Sequence, residues 1–317
     1  MTDPGSDAGT QAWSLDRIPD QTGRTILVTG TTVGGLGHHT ALELARRGAT
    51  VVLAGRTAAR LAETAASIRA EVPAAGLEQL VVDLSDLGSV RRAAAEAAAY
   101  GALDVLVNNA GVMGTPHQRT ADGLELQLAT NHFGPFLLTG LLLPQLLDSG
   151  DATVVTVSSI YHRMARSAPV GDPTVPPRRY RRWVAYAESK LANLLFTYEL
   201  DRRAREAGLP VKALAAHPGF AGTHLAANGQ YGRSSGGVAS ILDAAIKAVS
   251  QSAAAGAWPT LMAATADLPG ATYVGPGGLG ELGGTPQVTT STRLSRDAVA
   301  QRALWELSER TTGVTCP

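Results

Sequence analysis

Short apolar runs recur along the chain, and segments with helical spacing of apolar residues separate them. The first run, Thr25–Thr29, ends at Gly30, and apolar residues then recur at helical spacing from Leu36 to Arg47. Strands with little polar alternation are typical of a parallel sheet that carries helices on both faces. Since strand–helix–strand crossovers are right-handed, the alternation predicts a doubly wound α/β fold with about seven strands. The predicted strands are residues 25–29, 50–54, 79–82, 104–107, 153–157, 211–216 and 272–274, and the predicted helices are residues 36–47, 57–70, 87–99, 124–147, 183–207 and 297–309.

The domain organisation follows from where this alternation begins and ends. The chain has 317 residues, and the pattern shows no internal repeat or interdomain linker, which indicates one Rossmann-type domain over residues 24–269. Residues 1–23 are mostly polar and are predicted to form a flexible surface arm, whereas residues 270–317 are predicted to form a C-terminal extension. Residues 163–182 hold four prolines and six arginines, and we expect a flap or loop there rather than a simple connection.

Composition and charge exclude several classes of protein. The 27 basic and 27 acidic residues balance, so no overall field favours nucleic acid or an anionic membrane. The most apolar stretch, residues 133–147, is shorter than the ~20 residues of a membrane-spanning helix, and residues 1–9 do not resemble a signal peptide. The single cysteine, Cys316, cannot form an internal disulfide, which fits a cytoplasmic location. His38 and His39 are adjacent and lack suitably spaced ligand partners, so no metal site is expected.

The turn after the first strand is the first candidate for ligand binding. Gly30, Gly34, Gly35 and Gly37 lie between this strand and the first helix. Glycines let backbone N–H groups approach a pyrophosphate closely, and the helix N-terminus adds a favourable partial charge. The position favours a dinucleotide site, although a glycine-rich turn is also found in purely structural connections.

Tyr186 and Lys190 are the candidate acid–base pair. They lie four residues apart on a predicted helix and therefore share one face. A free phenol has a pKa near ~10 and is a poor acid–base catalyst at neutral pH. Because a neighbouring ammonium group favours the phenolate, Lys190 is expected to lower the pKa of Tyr186 toward the working range. The same spacing occurs often by chance, so the pair alone is weak evidence and its assignment depends on the motifs around it.

Seven motifs occur in the order found in short-chain dehydrogenases, and over residues 24–225 the chain resembles that family. The glycine turn is similar to the family's Thr-Gly-x-x-x-Gly-x-Gly, whose last three positions are matched by Gly35, Leu36 and Gly37. Four residues rather than three separate Gly30 from Gly35, which is a departure from the family pattern. The resemblance implies a nicotinamide dinucleotide as cofactor and hydride transfer as the reaction.

The resemblance implies four catalytic residues. Ser159 resembles the family's catalytic serine, whose hydroxyl holds the substrate oxygen, and Ser158 is the neighbour with which it could be confused. Tyr186 and Lys190 resemble the catalytic tyrosine and lysine, and the lysine also binds the nicotinamide ribose. Asn131 resembles the asparagine whose backbone carbonyl holds a water for proton relay to the lysine. The alternative for Asn131 is a polar residue that merely interrupts the helix.

The end of the second predicted strand indicates which dinucleotide is bound. Arg56 follows Gly55 there, and Gly55 stands where family members that prefer NAD carry an aspartate. We therefore favour NADP(H), with Arg56 on the 2′-phosphate, while NAD(H), with Arg56 as an ordinary surface residue, is the alternative. The expected cofactor-binding residues are Gly30, Gly35, Leu36, Gly37, Arg56, Asp83, Leu84, Asn108, Asn109, Ala110, Gly111, Tyr186, Lys190, Pro218, Gly219 and Thr223.

Three short runs among these cofactor-binding residues, 83–84, 108–111 and 218–223, are similar to further family motifs. Asp83 and Leu84 resemble the pair that contacts adenine, although Asp83 would also suit a cap on the next helix. The run 108–111 resembles the Asn-Asn-Ala-Gly that stabilises the central sheet beside the adenosine ribose, although adjacent asparagines also suit a turn. The run 218–223 resembles the Pro-Gly-x-x-x-Thr loop that orients the nicotinamide carboxamide.

Together these motifs predict an NADP(H)-dependent oxidoreductase that acts on a carbonyl or alcohol substrate. Residues 18–23, 180–183 and 190–196 are similar to the retinol-dehydrogenase-like and protochlorophyllide-reductase-like bacterial branch. This similarity implies that the small-molecule substrate is apolar and bulky. The sequence does not fix the oligomeric state: the family commonly pairs its long fourth and fifth helices between subunits, which allows a homo-oligomer, but the C-terminal extension could block or remodel such contacts. Two alternatives are open: a dinucleotide-binding regulatory protein without turnover, and an enzyme that uses the same residues for a non-redox step.

Overall fold

The computed structural model describes residues 12–175, 179–220 and 251–316. These residues form one eight-stranded sheet, in which the first seven strands pair in parallel and the last pairs antiparallel with its neighbour. The strands are β1 (Thr25–Thr29), β2 (Thr50–Gly55), β3 (Leu77–Val81), β4 (Val105–Asn108), β5 (Ala152–Val157), β6 (Val211–Ala216), β7 (Tyr273–Pro276) and β8 (Pro286–Val288). Their order across the sheet is β3-β2-β1-β4-β5-β6-β7-β8, with the direction of winding reversed between β1 and β4. The predicted doubly wound fold is therefore confirmed.

Helices cover both faces of this sheet. They are α1 (Leu36–Arg46), α2 (Ala58–Glu71), α3 (Leu87–Ala97), α4 (Gly134–Asp148), α5 (Arg182–Glu206), α6 (Ala253–Thr265) and α7 (Ala298–Thr312). Neighbouring residues of β1 enter two different cores: Ile26 and Val28 pack with residues of α1, α2 and α6, whereas Leu27 packs with residues of α3, α4, α5 and α7. None of the described helices is long and apolar enough to cross a membrane.

The segment after β6 differs most from the sequence prediction. Helix α6 was not expected, because Pro259 lies inside it and its residues are apolar on all sides rather than periodic. Its residues Gly256 and Ala257 are buried, and their small size lets α6 pack closely against α1. The sheet has eight strands rather than about seven, because Pro286 begins a short antiparallel edge strand, a position that tolerates proline.

Both terminal segments pack against the domain more than predicted. The described part of residues 1–23 is not only a surface arm, since Trp13 is buried and lies 6.5 Å from Trp258 between ring centroids. Within the predicted extension, residues 270–317, the described part supplies β7, β8 and α7 to the same sheet and core. Trp305 of α7, which is buried, stacks on an aromatic ring of α5 and meets one of α4 edge to face. The extension is thus an integral part of the fold.

Candidate active site

The carboxyl ends of β1, β4, β5 and β6 meet at one edge of the sheet, where doubly wound folds bind their ligands. Ser159 follows β5 in extended conformation, and Tyr186 and Lys190 lie in the first turns of α5. Lys190 Nζ donates to the Val157 carbonyl at 2.9 Å, which ties α5 to the end of β5. The fold therefore brings together three residues that the sequence singled out.

Ser159 and Tyr186 are in direct contact. Tyr186 is 7% exposed, and its hydroxyl hydrogen-bonds with the Ser159 side chain. Ser158 is directed elsewhere, since its hydroxyl donates to the Lys190 backbone carbonyl at 2.8 Å. The geometry thus places Ser159, and not Ser158, beside the tyrosine.

The pKa of Tyr186 is shifted in the direction opposite to the one expected from the sequence. Burial raises this pKa to about 12, and the hydrogen bond with Ser159 offsets only part of the increase. Lys190 Nζ is held by a backbone carbonyl and lies 5.9 Å from the Tyr186 ring centroid. Burial also lowers the pKa of Lys190 to about 8. For the protein alone, burial therefore shifts the pKa of Tyr186 opposite to the expected direction. The lowering expected from Lys190 together with a charged nicotinamide stays a prediction.

Asn131 lies in a π-helical turn, Ala129–Phe133, that leads into α4. Its side-chain amide donates to the Val112 carbonyl and to the Ser189 hydroxyl, each at 2.9 Å, and its side-chain oxygen accepts from the Val112 amide at 2.7 Å. Pro135, four residues later, has no N–H to donate to the Asn131 carbonyl. The side chain thus connects three elements, while the backbone carbonyl lacks its usual α-helical donor. Such π-helical turns are frequent at functional sites.

The glycine-rich turn has one residue more than the family motif. Its backbone and the first turn of α1 still approach each other closely. Gly30 and Gly34 have positive φ angles of 75° and 76°, and α1 begins directly after Gly35. A Cβ atom at Gly37 would lie 2.5 Å from the Gly30 carbonyl oxygen, so only glycine fits there. Because Gly35 has no side chain to cap α1, the first N–H groups of the helix are left for another acceptor. This cradle of backbone N–H groups suits a phosphate.

The run that follows β4 holds the edge of the sheet together. Asn109 Nδ2 donates to the Thr29 carbonyl at 2.7 Å, and Asn108 Nδ2 donates to the Thr139 hydroxyl at 3.0 Å. The Ala110 amide donates to the Thr29 hydroxyl at 3.0 Å. A Cβ atom at Gly111 would lie 3.5 Å from Lys190 Nζ, so this run also reaches the acid–base pair.

Arg56 is exposed and lines a small pocket at the outer end of the glycine-rich turn. Thr31 and Thr32 of that turn line the same pocket, and so does Arg60. Arg60 was not expected there from the sequence, although its position four residues after Arg56 was a usable signal. Two arginines therefore line a pocket at the place where the adenosine ribose of a dinucleotide lies in this type of fold.

Asp83 and Leu84, which follow β3, are the pair that was expected to contact adenine. Asp83 accepts from the Ser85 amide at 2.9 Å, but the cap of α3 is Asp86, so the helix-capping alternative for Asp83 is wrong. Leu84 is buried, and its carbonyl would collide with any Cβ atom at Gly134, the first residue of α4.

The loop after β6 is described only in part. Gly219 follows Pro218 and has a positive φ of 66°. A Cβ atom at Gly219 would lie 2.6 Å from the Leu282 carbonyl oxygen, so the loop is in close contact with the segment after β7. Thr223 lies outside the described residues.

An apolar pocket of about 450 Å³ opens at the start of α5, and Tyr186 is not among the residues that line it. Trp183 contributes to its wall, stacks on Tyr161 at 5.5 Å and meets Tyr186 edge to face at 6.3 Å, as measured between ring centroids. The sequence analysis did not assign a site role to either residue, although both are aromatic and close in sequence to the motif residues. The lining residues are Pro116, Tyr180, Arg181, Arg182, Trp183 and Val184.

The segment predicted as a flap, residues 163–182, is described apart from 176–178 and is largely exposed. Its C-terminal end is anchored: the Tyr180 hydroxyl donates to the Glu125 carboxylate at 2.8 Å, and Gln127 Nε2 donates to the Tyr180 hydroxyl at 2.7 Å. A function as a flap over the substrate stays a prediction.

Comparisons with known proteins show which proteins the chain is similar to. The sequence profile of the short chain dehydrogenases matches residues 24–171. Human retinol dehydrogenase 13 is 43% identical over 204 residues, which are 64% of this chain and 60% of that protein, so the match spans less than two thirds of its length. A crystal structure of an uncharacterised protein from Mycobacterium paratuberculosis is 42% identical, with a TM-score of 0.80 over 97% of this chain and 100% of that one. A short chain dehydrogenase from Shigella flexneri, complexed with NADP, is 27% identical, with a TM-score of 0.52 over 68% of this chain and 85% of that one.

Proposed function

The chain belongs to the short-chain dehydrogenase family, and on this premise we propose that it is an NADP(H)-dependent oxidoreductase. It transfers a hydride between the nicotinamide and a bulky, apolar alcohol or carbonyl compound. The observation that carries the proposal is the contact between the Ser159 and Tyr186 hydroxyls at the carboxyl edge of the sheet, with Lys190 buried behind them.

The residues around this edge fit a nicotinamide dinucleotide. The N–H groups at the start of α1 would hold the pyrophosphate, because Gly30 and Gly37 leave the space for it. Pro218 and Gly219 would hold the nicotinamide end, near the hydroxyl of Ser159. When bound, the nicotinamide supplies or accepts the hydride.

In the direction of carbonyl reduction, the chain's own residues orient the substrate and supply a proton. The Ser159 hydroxyl donates a hydrogen bond to the carbonyl oxygen and stabilises the negative charge that develops there. Tyr186, whose pKa burial raises to about 12, is protonated at neutral pH and gives its proton to that oxygen. Lys190 lies behind it as an ammonium group below pH values of about 8. A water on the Asn131 carbonyl would return a proton toward Lys190.

Arg56 and Arg60 support NADP(H) over NAD(H). A 2′-phosphate carries negative charge and accepts several hydrogen bonds, which suits two arginines that line the same pocket. Gly55, at the end of β2, offers no carboxylate for a ribose 2′-hydroxyl. The similar Shigella flexneri dehydrogenase was solved with NADP.

We expect the double variant Arg56→Ala/Arg60→Ala to bind NADPH about 10- to 100-fold more weakly, because charge-assisted hydrogen bonds to the 2′-phosphate are lost. Its affinity for NADH should stay within a factor of about two. Fluorescence titration with each nucleotide measures both values. Arg69→Ala, which removes the same charge from the far end of α2, is the matched control. Equal affinity of the wild type for NADPH and NADH would contradict the proposed cofactor preference.

An apolar substrate is supported by the apolar pocket at the start of α5 and by the similarity to human retinol dehydrogenase 13. Trp183 lines this pocket, and its ring contacts the rings of Tyr161 and Tyr186, which favours a compound with a bulky apolar group on its carbonyl or carbinol carbon. The cytoplasmic location and the homo-oligomer that the sequence allows stay predictions.

A further inference from the structure

The turn after β7 contains a glutamate in an unusual backbone conformation. Gly280 and Glu281 have positive φ angles of 63° and 58°, and the Leu282 amide donates to the Leu279 carbonyl across them at 3.3 Å. A left-handed conformation is unfavourable for a residue with a side chain and persists only where the surroundings enforce it. The contacts of the Glu281 carboxylate show what enforces it here.

The Glu281 carboxylate has three side-chain partners from three different segments. Its Oε1 accepts from the Arg163 guanidinium at 2.8 Å and from the Thr289 hydroxyl at 2.6 Å. Its Oε2 lies 3.1 Å from His217 Nε2. Together with Thr289 and Arg163, His217 lowers the pKa of Glu281 to about 2, and the contact with His217 is the largest cause. The carboxylate is therefore charged at every pH at which the protein would work.

Two of these partners, Arg163 and His217, lie close in the chain to residues of the proposed active site. Arg163 lies in the 3-10 helix Ile160–Met164, which begins directly after Ser159. His217 is fully buried and directly precedes Pro218 and Gly219. Glu281 thus connects the segment that carries the catalytic serine to the loop that would hold the nicotinamide.

The backbone beside Glu281 makes the same connection. The Phe220 amide donates to the Leu282 carbonyl at 2.8 Å, and Gly219 packs against that carbonyl oxygen so closely that no side chain would fit. A Cβ atom at Gly275 of β7 would collide with the His217 ring. The segment from β7 to Leu282 therefore packs closely against this loop, at Gly275 and at Leu282.

We infer that Glu281 is a positioning residue that fixes the nicotinamide-binding loop relative to Ser159. This inference rests on the proposed function, and it adds a residue outside the family motifs to the site. Because the carboxylate contacts the nicotinamide end of the site and not the adenosine end, its loss acts selectively. Ligands that occupy only the adenosine end do not depend on it.

The test compares two ligands in the full-length protein. In Glu281→Gln, which keeps the shape but removes the charge, we expect NADPH to bind about tenfold more weakly, because the contact of the carboxylate with His217 and its charged hydrogen bond from Arg163 are weakened. Adenosine 2′,5′-bisphosphate, which lacks the nicotinamide half, should bind with unchanged affinity. Glu306→Gln, which removes a carboxylate from a solvent-exposed ion pair on α7, is the matched control and should change neither affinity.

Arg163→Met removes the guanidinium group that contacts Glu281. This variant replaces Glu281→Gln in the test if Glu281→Gln does not fold. It should also weaken NADPH selectively, and the double variant should lose less than the sum of the two single losses, since both act through one contact. Equal binding of NADPH by wild type and variants, or equal loss of both ligands, would overturn the inference while leaving the proposed function in place. A wild type that binds the bisphosphate but not NADPH would overturn the proposed function and this inference together.

Discussion

Replacement of Tyr186 by phenylalanine is expected to lower kcat by about 10²- to 10⁴-fold, the usual contribution of a general acid. The substitution removes the hydroxyl that contacts Ser159 and leaves no proton donor at the substrate oxygen. NADPH binding should change little. Phenylalanine keeps the edge-to-face contacts with Tyr161 and Trp183, at 5.6 and 6.3 Å between ring centroids, so the wall of the pocket is retained.

Steady-state turnover of an apolar aldehyde, together with an NADPH titration, measures the two effects separately. Tyr198→Phe is the matched control, since Tyr198 lies on the same helix and its hydroxyl meets Ser291 at 2.7 Å, away from the site. That control should retain its turnover. Full activity in Tyr186→Phe would remove the tyrosine from the mechanism.

Replacement of Lys190 by methionine is expected to abolish turnover and yet increase the free energy of unfolding by about 1–3 kcal/mol at neutral pH. Lys190 is 5% exposed, and burial lowers its pKa from 10.5 to about 8. The difference between these two values corresponds to roughly 3 kcal/mol that opposes folding while the lysine is charged. Methionine fills similar space without a charge. The Val157 carbonyl keeps a donor, since Asn193 Nδ2 lies 3.0 Å from it.

The pH dependence of this gain has a defined sign. The folded state binds the lysine proton less tightly than the unfolded state, so the penalty is complete below pH values of about 8. It then decreases as the pH rises and disappears above the unfolded pKa of 10.5. Denaturant unfolding of wild type and Lys190→Met across this range measures it. Lys212→Met, at a partly exposed lysine on β6, should show no such gain. A loss of stability in Lys190→Met at neutral pH would contradict the account.

The sequence predicted the parts of the site that depend on strand ends. Ser159 and Asn109 each follow a buried parallel strand, and such strands end at one edge of the sheet, so their proximity follows from the fold class. Tyr186 and Lys190 share a helix face because of their spacing. Their pKa values could not be predicted, because the degree of burial depends on tertiary packing.

Other features are not encoded in short-range patterns. Helix α6 contains Pro259 and no amphipathic period, and only its packing against α1 makes it a helix. Glu281 adopts a conformation that its sequence would not suggest, because it contacts side chains from three other segments, two of them distant in the chain. Arg60 was within reach of sequence reasoning, since it lies four residues after Arg56, in the first turn of α2.

The most direct test of the central claim follows the hydride itself. NADPH with deuterium in place of both hydrogens on the reactive carbon of its nicotinamide ring is incubated with the purified protein and an apolar aldehyde, such as retinaldehyde. Mass spectrometry of the alcohol then shows where the label went. The account predicts one deuterium on the carbinol carbon of the product with the wild type, and almost no labelled alcohol with Tyr186→Phe. Unlabelled alcohol, or no alcohol from any bulky apolar aldehyde or ketone, would contradict an NADPH-dependent hydride transfer.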